Sequence, residues 1–474
     1  MALPLVLFNS ATGSDTTSSG AGPSTALSGT HASNASGVIS LATDAPNLSG
    51  VAADGSALLY VAGLASPFGK IVAVDNSAKT VTIDNLSTWS GDNKSWAIGG
   101  KRASIGGTDS ARIFSTGTRA GFILEMESGH TETVTAAIVT GGVGGGGNTT
   151  DGPVILRGTS GAATLPLLTF SNNGRAFDNG TNTSVYWQFR DFEMRNSNAT
   201  KTASTAFYSG GLGIVIKGVK VNHSTDYFWR IVDMVATTDS HGIYDCDLGY
   251  AADVCIRFPT TGRGPCCVVN NWIHNATSHG VFNQVSAATH LCTFLYLNNI
   301  IANNGGDGIN MGDLTSDATR TAQFIGNTFH GNTGDGLELA SISTSTCLRH
   351  LQIENNIFTN NGGYGINWSG SGINNTVLTA YAVSLKGNMH NGNTSGFLSA
   401  SITTDTNTTA ADPSYTNSGG NDYSVGTAAK AVGYPVGGTL YVGKSSSTYS
   451  YLEPGVSQRQ EVAASGGSSY YMGE

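Results

Sequence analysis

Acidic side chains that return at a fixed interval are the first residues that could do chemistry. Asp307 and Asp335 each stand directly before a glycine, and Glu338 follows Asp335 within the same repeat. If successive repeats stack, Asp307 and Asp335 lie about one coil spacing apart, ~5 Å. Carboxylates separated by ~5–10 Å are what glycoside hydrolysis needs, one protonated as the acid and one ionised as nucleophile or base. Crowding of like charge would raise one of the two pKa values and suit that division of labour. Asp-Gly is equally a common turn pair, which needs no chemistry to explain it.

Alignment of the repeats sets these acids in two columns. His279, Asp307, Asp335 and Tyr364 fall just before the repeated glycine; Phe282, Asn310, Glu338 and Asn367 fall two positions beyond it. Asp307, Asp335 and Glu338 are therefore the candidate catalytic residues. His279, Asn310, Tyr364, Asn367 and Trp368 are the candidate glycan contacts, since amides bond hydroxyls and sugar rings stack on exposed aromatic faces. Trp187, Tyr227, Trp229 and Trp272 are further aromatic candidates, with core packing as the competing explanation. His274 and His330 share a repeat position two coils apart, ~10 Å, too far to share one metal ion. The cysteines (Cys246, Cys255, Cys266, Cys267, Cys292 and Cys347) show no CxxC spacing and read as buried free thiols. Neither a metal nor a cofactor is expected.

What must position these groups is a repeat. NNWIHNATSHGVF (270–282), NNIIANNGGDGIN (298–310), GNTFHGNTGDGLE (326–338) and NNIFTNNGGYGIN (355–367) align without a gap, and GNMHNGNTSGFL (387–398) aligns with one deletion. Their second Asn recurs at Asn271, Asn299, Asn327, Asn356 and Asn388, in steps of 28, 28, 29 and 32 residues. A glycine follows at Gly280, Gly308, Gly336, Gly365 and Gly396, where a turn with positive φ is the expected reason. Each unit reads as strand, turn, strand, too short for a helix. Such units bury their apolar side chains only by stacking in parallel register, which would set the Asn column into a side-chain amide ladder. The predicted fold is all-β, a right-handed single-stranded parallel β-helix with a small N-terminal β domain.

The motif Asn-Asn-x-(Ile/Phe)-x-Asn followed by Gly-(Ile/Leu) resembles the parallel β-helix repeat of the pectate-lyase-like superfamily. WAIGGKRAS (96–104), GFILEMESGHTETV (121–134) and GPVILRGTSG (152–161) resemble that family's entry, the last as first coil. DPSYTNSGGNDYSVGTAAKAVGYP (412–435) and SYLEPGVSQRQ (450–460) resemble its closing coil. The Asn-Thr-Asp and Asp-Asp pairs of its polygalacturonase-like hydrolases are not found here, and Ser240-His241-Gly242 and Ser278-His279-Gly280 only echo their Gly-His-Gly. Arg257-Phe258-Pro259-Thr260-Thr261-Gly262-Arg263 misses the lyase pattern Arg-x-Pro-x-x-Arg by one residue.

Four segments are expected: an extended Ser/Thr/Gly-rich arm (1–30), a small β domain for capping or attachment (31–105), the β-helix (106–460, clearest at 268–398) and a flexible tail (461–474). Alternation in 70–75 and 80–84 around Asn76-Ser77 reads as a hairpin in the β domain. The arm and β module ahead of a β-helix resemble bacteriophage tailspikes and virion fibres. That resemblance implies a homotrimer, attachment to other virion proteins through the N-terminal region, a host surface polysaccharide as partner, and release by lysis. The first residues lack the basic start of a secretory signal, and no apolar run reaches membrane-spanning length. A net charge of -9 without Lys/Arg clusters argues against a nucleic-acid partner. The alternatives are a β-helix polysaccharide-degrading enzyme, hydrolase more than lyase, and a capsid or tail decoration protein without glycan activity.

Overall fold

Successive side chains of a strand point to opposite faces, so Thr293–Leu297 buries Phe294 and Tyr296 on one of them. The computed structural model stacks such strands in parallel. It describes residues 5–15, 22–35, 38–41, 46–62, 64, 68–84, 94–106, 122–139, 153–179, 187–210, 213–234, 240–258, 265–283, 293–312, 321–339, 350–368, 383–399, 405–406, 408–420, 422–423 and 425. The expected tail, the 450–460 part of the closing coil, Cys292 and Cys347 lie outside these residues. Two compact units are present, one comprising Met1–Gly242 with Cys246–Ala252, the other Ile243–Asp245 with Asp253–Glu474. Among the described residues there is no α-helix, hence none long and apolar enough to cross a membrane.

The first unit opens with a closed six-stranded barrel, in the order Leu27–Ala35, Val38–Ser40, Thr80–Asp84, Phe68–Asp75, Leu58–Val61, Lys94–Ile98. Its hairpin is the one expected from sequence: Phe68–Asp75 pairs antiparallel with Thr80–Asp84. The Asp75 carboxylate closes the turn by accepting the N–H groups of Ser77 and Ala78 at 2.8 and 2.9 Å. Trp96, Leu59, Val61, Ile71 and Val81 fill the barrel.

Three parallel sheets follow. Leu5–Phe8, Phe122–Met126, Val154–Gly158, Trp187–Arg190 and Ile214–Lys217 form one side of the coils. The expected arm is therefore corrected at two places. Leu5–Phe8 is a strand of the solenoid, paired in register with Ile123–Met126, and the stack begins before residues 152–161. Leu27–Ala35 already belongs to the barrel. Arg102 joins these parts: it bridges to Phe8, donates Nη2 to the Asp15 carbonyl at 3.1 Å and lies 5.1 Å from the Tyr60 ring, fully buried.

In the second unit the clearest repeats form three sheets. Pro265–Val269, Thr293–Leu297, Thr321–Ile325, His350–Glu354 and Val383–Lys386 make the first. Trp272–His274, Ile300–Ala302, Thr328–His330, Ile357–Thr359 and Met389–Asn391 make the second. Ile256–Phe258, Val281–Asn283, Ile309–Asn310, Leu337–Glu338, Tyr364–Asn367 and Gly396–Leu398 make the third. The chain turns out of the first sheet at Asn270, Asn298, Gly326, Asn355 and Gly387, all left-handed with φ of 58, 54, 66, 57 and 62°. Only Asn and Gly take that conformation cheaply, which is why this position alternates between the two.

The next residue is the ladder Asn, buried in every coil. Nδ2 of Asn271 donates to Oδ1 of Asn299 at 3.0 Å, Asn299 to Asn327 at 2.9, Asn327 to Asn356 at 3.0, and Asn356 to Asn388 at 3.1. The same Oδ1 atoms accept the backbone N–H of the Asn one coil earlier, as Asn327 does from Asn299 at 2.9 Å. A second ladder, absent from the sequence reading, runs through Asn304, Asn332, Asn361 and Asn393 at 2.8–3.0 Å.

Gly280, Gly308, Gly336 and Gly365 require a different reason from the one expected. They are not left-handed. A Cβ on Gly308 would instead come 2.6 Å from the Gly336 carbonyl oxygen of the adjoining coil, and one on Gly280 would come 2.7 Å from that of Gly308. The glycine permits close stacking. Aromatic rings stack inside, Tyr296 on Phe324 at 5.1 Å and Phe329 on Phe358 at 4.7 Å. Cys246, Cys255, Cys266 and Cys267 are free thiols, the first three buried.

The ladder gives a stability prediction. Asn327→Ala leaves both Asn299 donors without their acceptor in a dry interior, a loss on the order of 3 kcal/mol in chemical denaturation. Asn391→Ala, half-buried at the surface, should stay within about 0.5 kcal/mol.

Candidate functional site

The third sheet of the second unit and the turn before it carry both sequence columns, and the coils hold them in register. Gly280 donates its N–H to the Asp307 carbonyl, Gly308 to that of Asp335 and Gly336 to that of Tyr364, at 3.0, 2.8 and 2.9 Å. This puts His279, Asp307, Asp335 and Tyr364 one above another. Phe282 pairs with Asn310, Asn310 with Glu338, and Glu338 with Asn367.

The carboxylates of the first column are engaged by the turns. Asp307 Oδ1 accepts the backbone N–H of Asp335 at 2.8 Å, and Asp335 Oδ1 accepts that of Tyr364 in the next coil. The second oxygens are held by the Asn column, Asn310 Nδ2 donating to Asp307 Oδ2 and Asn367 Nδ2 to Asp335 Oδ2, each at 2.8 Å. His279 Nδ1 takes the equivalent place one coil earlier, accepting the Asp307 N–H at 3.0 Å and lying 3.1 Å from Asp307 Oδ2. Its ring stacks on Phe282 at 5.6 Å.

Glycines make room for this. A Cβ on Gly334 would lie 2.2 Å from Asp307 Oδ1, and one on Gly363 2.0 Å from Asp335 Oδ1. Each carboxylate thus occupies the volume a side chain would fill in the adjoining coil.

Crowding between the two acids does not raise the pKa of Asp307. Burial pushes that carboxyl upward, but the Asp335 N–H and the Asn310 amide, with the charge of the His279 ring when it is protonated, outweigh it and hold it below its ordinary range. Asp307 is an ionised hydrogen-bond acceptor and not a proton donor. Asp335 and Glu338 are each only 8% exposed. Among the described residues no group of three His, Cys, Asp or Glu side chains could hold a metal ion.

Of the expected glycan contacts, His279, Asn310, Tyr364 and Asn367 reach the surface, all half-buried. Trp368 does not. Asn367 points outward, so strand alternation turns Trp368 inward, 6% exposed, beside the Ser399 hydroxyl that accepts its backbone N–H at 2.7 Å. Trp187 is likewise core, stacked on Phe189 at 5.7 Å, whereas Tyr227, Trp229 and Trp272 are half-buried. His241 is buried too, with Nδ1 accepting the Ile214 N–H at 3.3 Å, and burial pushes its pKa down to about 4.

His274 and His330 do share one column, with Ala302 between them. His330 lies beneath the segment that leaves the last coil, in edge contact with the rings of Tyr415 at 5.3 Å and Tyr423 at 5.2 Å. The Tyr415 hydroxyl and Thr359 Oγ1 are hydrogen-bonded at 3.0 Å. This part of the expected closing coil covers the outer side of the second sheet, where Ile357, Met389 and Val425 pack together.

Residues 293–380 match the family model of the right handed beta helix region. The solenoid is a right-handed parallel β-helix. Among solved structures it is similar to pectate lyase Pel9A, with 11% identity over 73% of this chain and 90% of that one and a TM-score of 0.42. It is also similar to ORF18 of Geobacillus virus E2, with 14% identity, a TM-score of 0.32, and coverage of 64% of this chain and 55% of that one. The catalytic domain of a GH87 alpha-1,3-glucanase matches at 9% identity over 82% and 89% of the two chains, TM-score 0.24. At these identities the likeness is one of fold. No curated protein matches the chain in sequence.

Two outcomes test this geometry. Gly334→Ala should cost roughly 2–4 kcal/mol by denaturant unfolding, because the Asp307 carboxylate must move, while Gly174→Ala, with open space around its Cβ, should stay within about 0.5 kcal/mol. On acidification, stability should fall in two windows. His241 has a folded pKa near 4 against 6.5 unfolded, so its contribution is complete above pH 6.5 and is lost as pH falls towards 4, about 3 kcal/mol in all. Asp307, lowered in the fold, keeps its contribution above the ordinary carboxylate range and loses it below. His241→Gln should remove the first window and leave the second, followed by thermal melting from pH 7 to 3.

Proposed function

We propose that the protein is a bacteriophage virion component of tailspike or fibre type whose β-helix binds a glycan of the host cell surface. The observation that carries the binding half is the way the acidic column is used. Asp307 and Asp335 are committed to backbone and amide donors of their own and the adjoining coils. What they hold in place is a row of rings and amides on the outer face, His279 with Phe282, Asn310, Tyr364 and Asn367. Such a row bonds hydroxyls and stacks on sugar faces without needing to cut a bond. The virion half is supported by module order, a closed barrel set between the first solenoid strand, Leu5–Phe8, and the remaining coils of the β-helix. The barrel is then the part that docks to other virion proteins, the assembly is a homotrimer, and the protein acts from the particle.

Mass spectrometry of purified particles and a glycan array together test this reading. The expected results are detection in the particle and binding to at least one bacterial surface glycan, weakened roughly tenfold by Tyr364→Ala through loss of a ring contact worth about 1.4 kcal/mol. Bound glycan should keep its length. Absence from particles overturns the virion assignment, and an empty array overturns glycan binding. Chain shortening that disappears in Glu338→Gln would replace binding by hydrolysis.

A further inference from the structure

On the first unit, one outer face holds an array of cations that the sequence columns above do not include. In the strands Phe122–Met126, Val154–Gly158, Trp187–Arg190 and Ile214–Lys217, Leu124, Leu156, Phe189 and Ile216 point inward and are buried. The outward partners are in strict register. Glu125 pairs with Arg157, Arg157 with Arg190, and Arg190 with Lys217. Successive coils therefore set three cationic side chains one above another about 4.8 Å apart.

Among the described residues only the first has a counter-charge. Glu125 Oε2 accepts Arg157 Nε at 2.8 Å and its Nη2 at 2.7 Å, while Oε1 accepts the Thr159 hydroxyl at 3.2 Å, so this carboxylate is used up. Arg190 donates Nη2 to the Gln188 side-chain oxygen, and its Nε is buried with no acceptor. Among the described residues no carboxylate pairs with Arg190 or with exposed Lys217. Other arginines of this unit are paired. Arg175 holds Asp178, Arg195 holds Glu193 and Arg230 holds Asp233 at 2.9–3.1 Å, and Lys220 lies in register between Glu193 and Asp247.

Stacked like charges oppose the fold unless something outside it carries the compensating charge, and here they persist in a chain of net charge -9. Beside them runs a second outward column, Ile123, Ile155, Gln188 and Val215, apolar apart from its one amide. We infer that this face of the first unit binds an anionic polysaccharide lying along the coils, its carboxylate or sulfate groups on Arg190 and Lys217 and its sugar faces on the apolar column. Two uncompensated cations suit a polymer with sparse charge. Nucleic acid, with a phosphate charge about every 1.7 Å of duplex, calls for a denser array. The inference rests on the glycan-binding reading and names a substrate class and a second surface for it.

Retention of the full chain on immobilised hyaluronan, dextran sulfate and neutral dextran tests it, hyaluronan reporting carboxylate and dextran sulfate reporting sulfate. Expected are retention on at least one anionic glycan, at least tenfold weaker retention on neutral dextran, and release by salt. The double variant Arg190→Gln/Lys217→Gln should bind the anionic glycan at least tenfold more weakly with an unchanged melting temperature. Lys220→Gln, which removes one positive charge between two acids, should bind as the wild type does. Wild-type retention by the double variant, an equal loss in Lys220→Gln, or equal retention on single-stranded DNA overturns the inference. Binding of neutral glycans alone overturns it and leaves the glycan-binding reading standing; binding of no glycan at all removes both.

Discussion

The structure depends on one repeated constraint: a polar group buried in each coil must find its partner in the next. The ladder asparagines are out of water, and an unsatisfied amide there costs far more than the net gain of a made hydrogen bond. Asn299 shows how completely the requirement is met. Its Nδ2 reaches Asn327 and the Val268 carbonyl, and its Oδ1 takes both donors of Asn271. A coil shifted by one residue along its neighbour would break all four together. Register in this unit is thus set by polar pairing as well as by the apolar interior, and the left-handed residue directly before each ladder position delivers the amide to its place.

The same constraint reaches the outer face and decides what the acids there can do. A turn between stacked coils leaves backbone N–H groups pointing at the coil beside it, and in this column His279, Asp307 and Asp335 each accept one. A carboxylate that accepts an N–H and an amide is stabilised as the anion, the opposite of what a general acid requires. Asp307 is thereby suited to the ionised place in a carboxylate pair and not to that of the acid. Glu338 stands in register between Asn310 and Asn367 rather than in the acceptor column.

How much of this was legible depended on whether the cause was local. The 28-residue step and the Asn-Asn and Gly-Asn pairs carried the fold, because a left-handed turn and a buried amide leave marks on adjacent residues. The second ladder left the same mark at Asn304, Asn332, Asn361 and Asn393, but Ala276 at its first position hid the alignment. The role of Gly308 and Gly336 could not be read, since a glycine required by a neighbouring coil and one required by its own φ look alike in sequence. Leu5–Phe8 was out of reach for a stronger reason. A four-residue strand whose partner begins at Phe122 has no periodicity and no nearby turn to announce it. Trp368 was legible and misread, because strand alternation from Asn367 already turns it inward.

The expectation of Trp368 as a sugar platform came from treating a column as a surface feature. In a solenoid a column is first a stacking element, and its chemistry is whatever stacking leaves unused. Asp307 and Asp335 stack well because each meets donors. Arg157, Arg190 and Lys217 stack badly because two of the three meet no carboxylate among the described residues. Electrostatic mismatch between coils is the residue of sequence that folding alone does not explain, and it locates a partner more sharply than the presence of reactive side chains does.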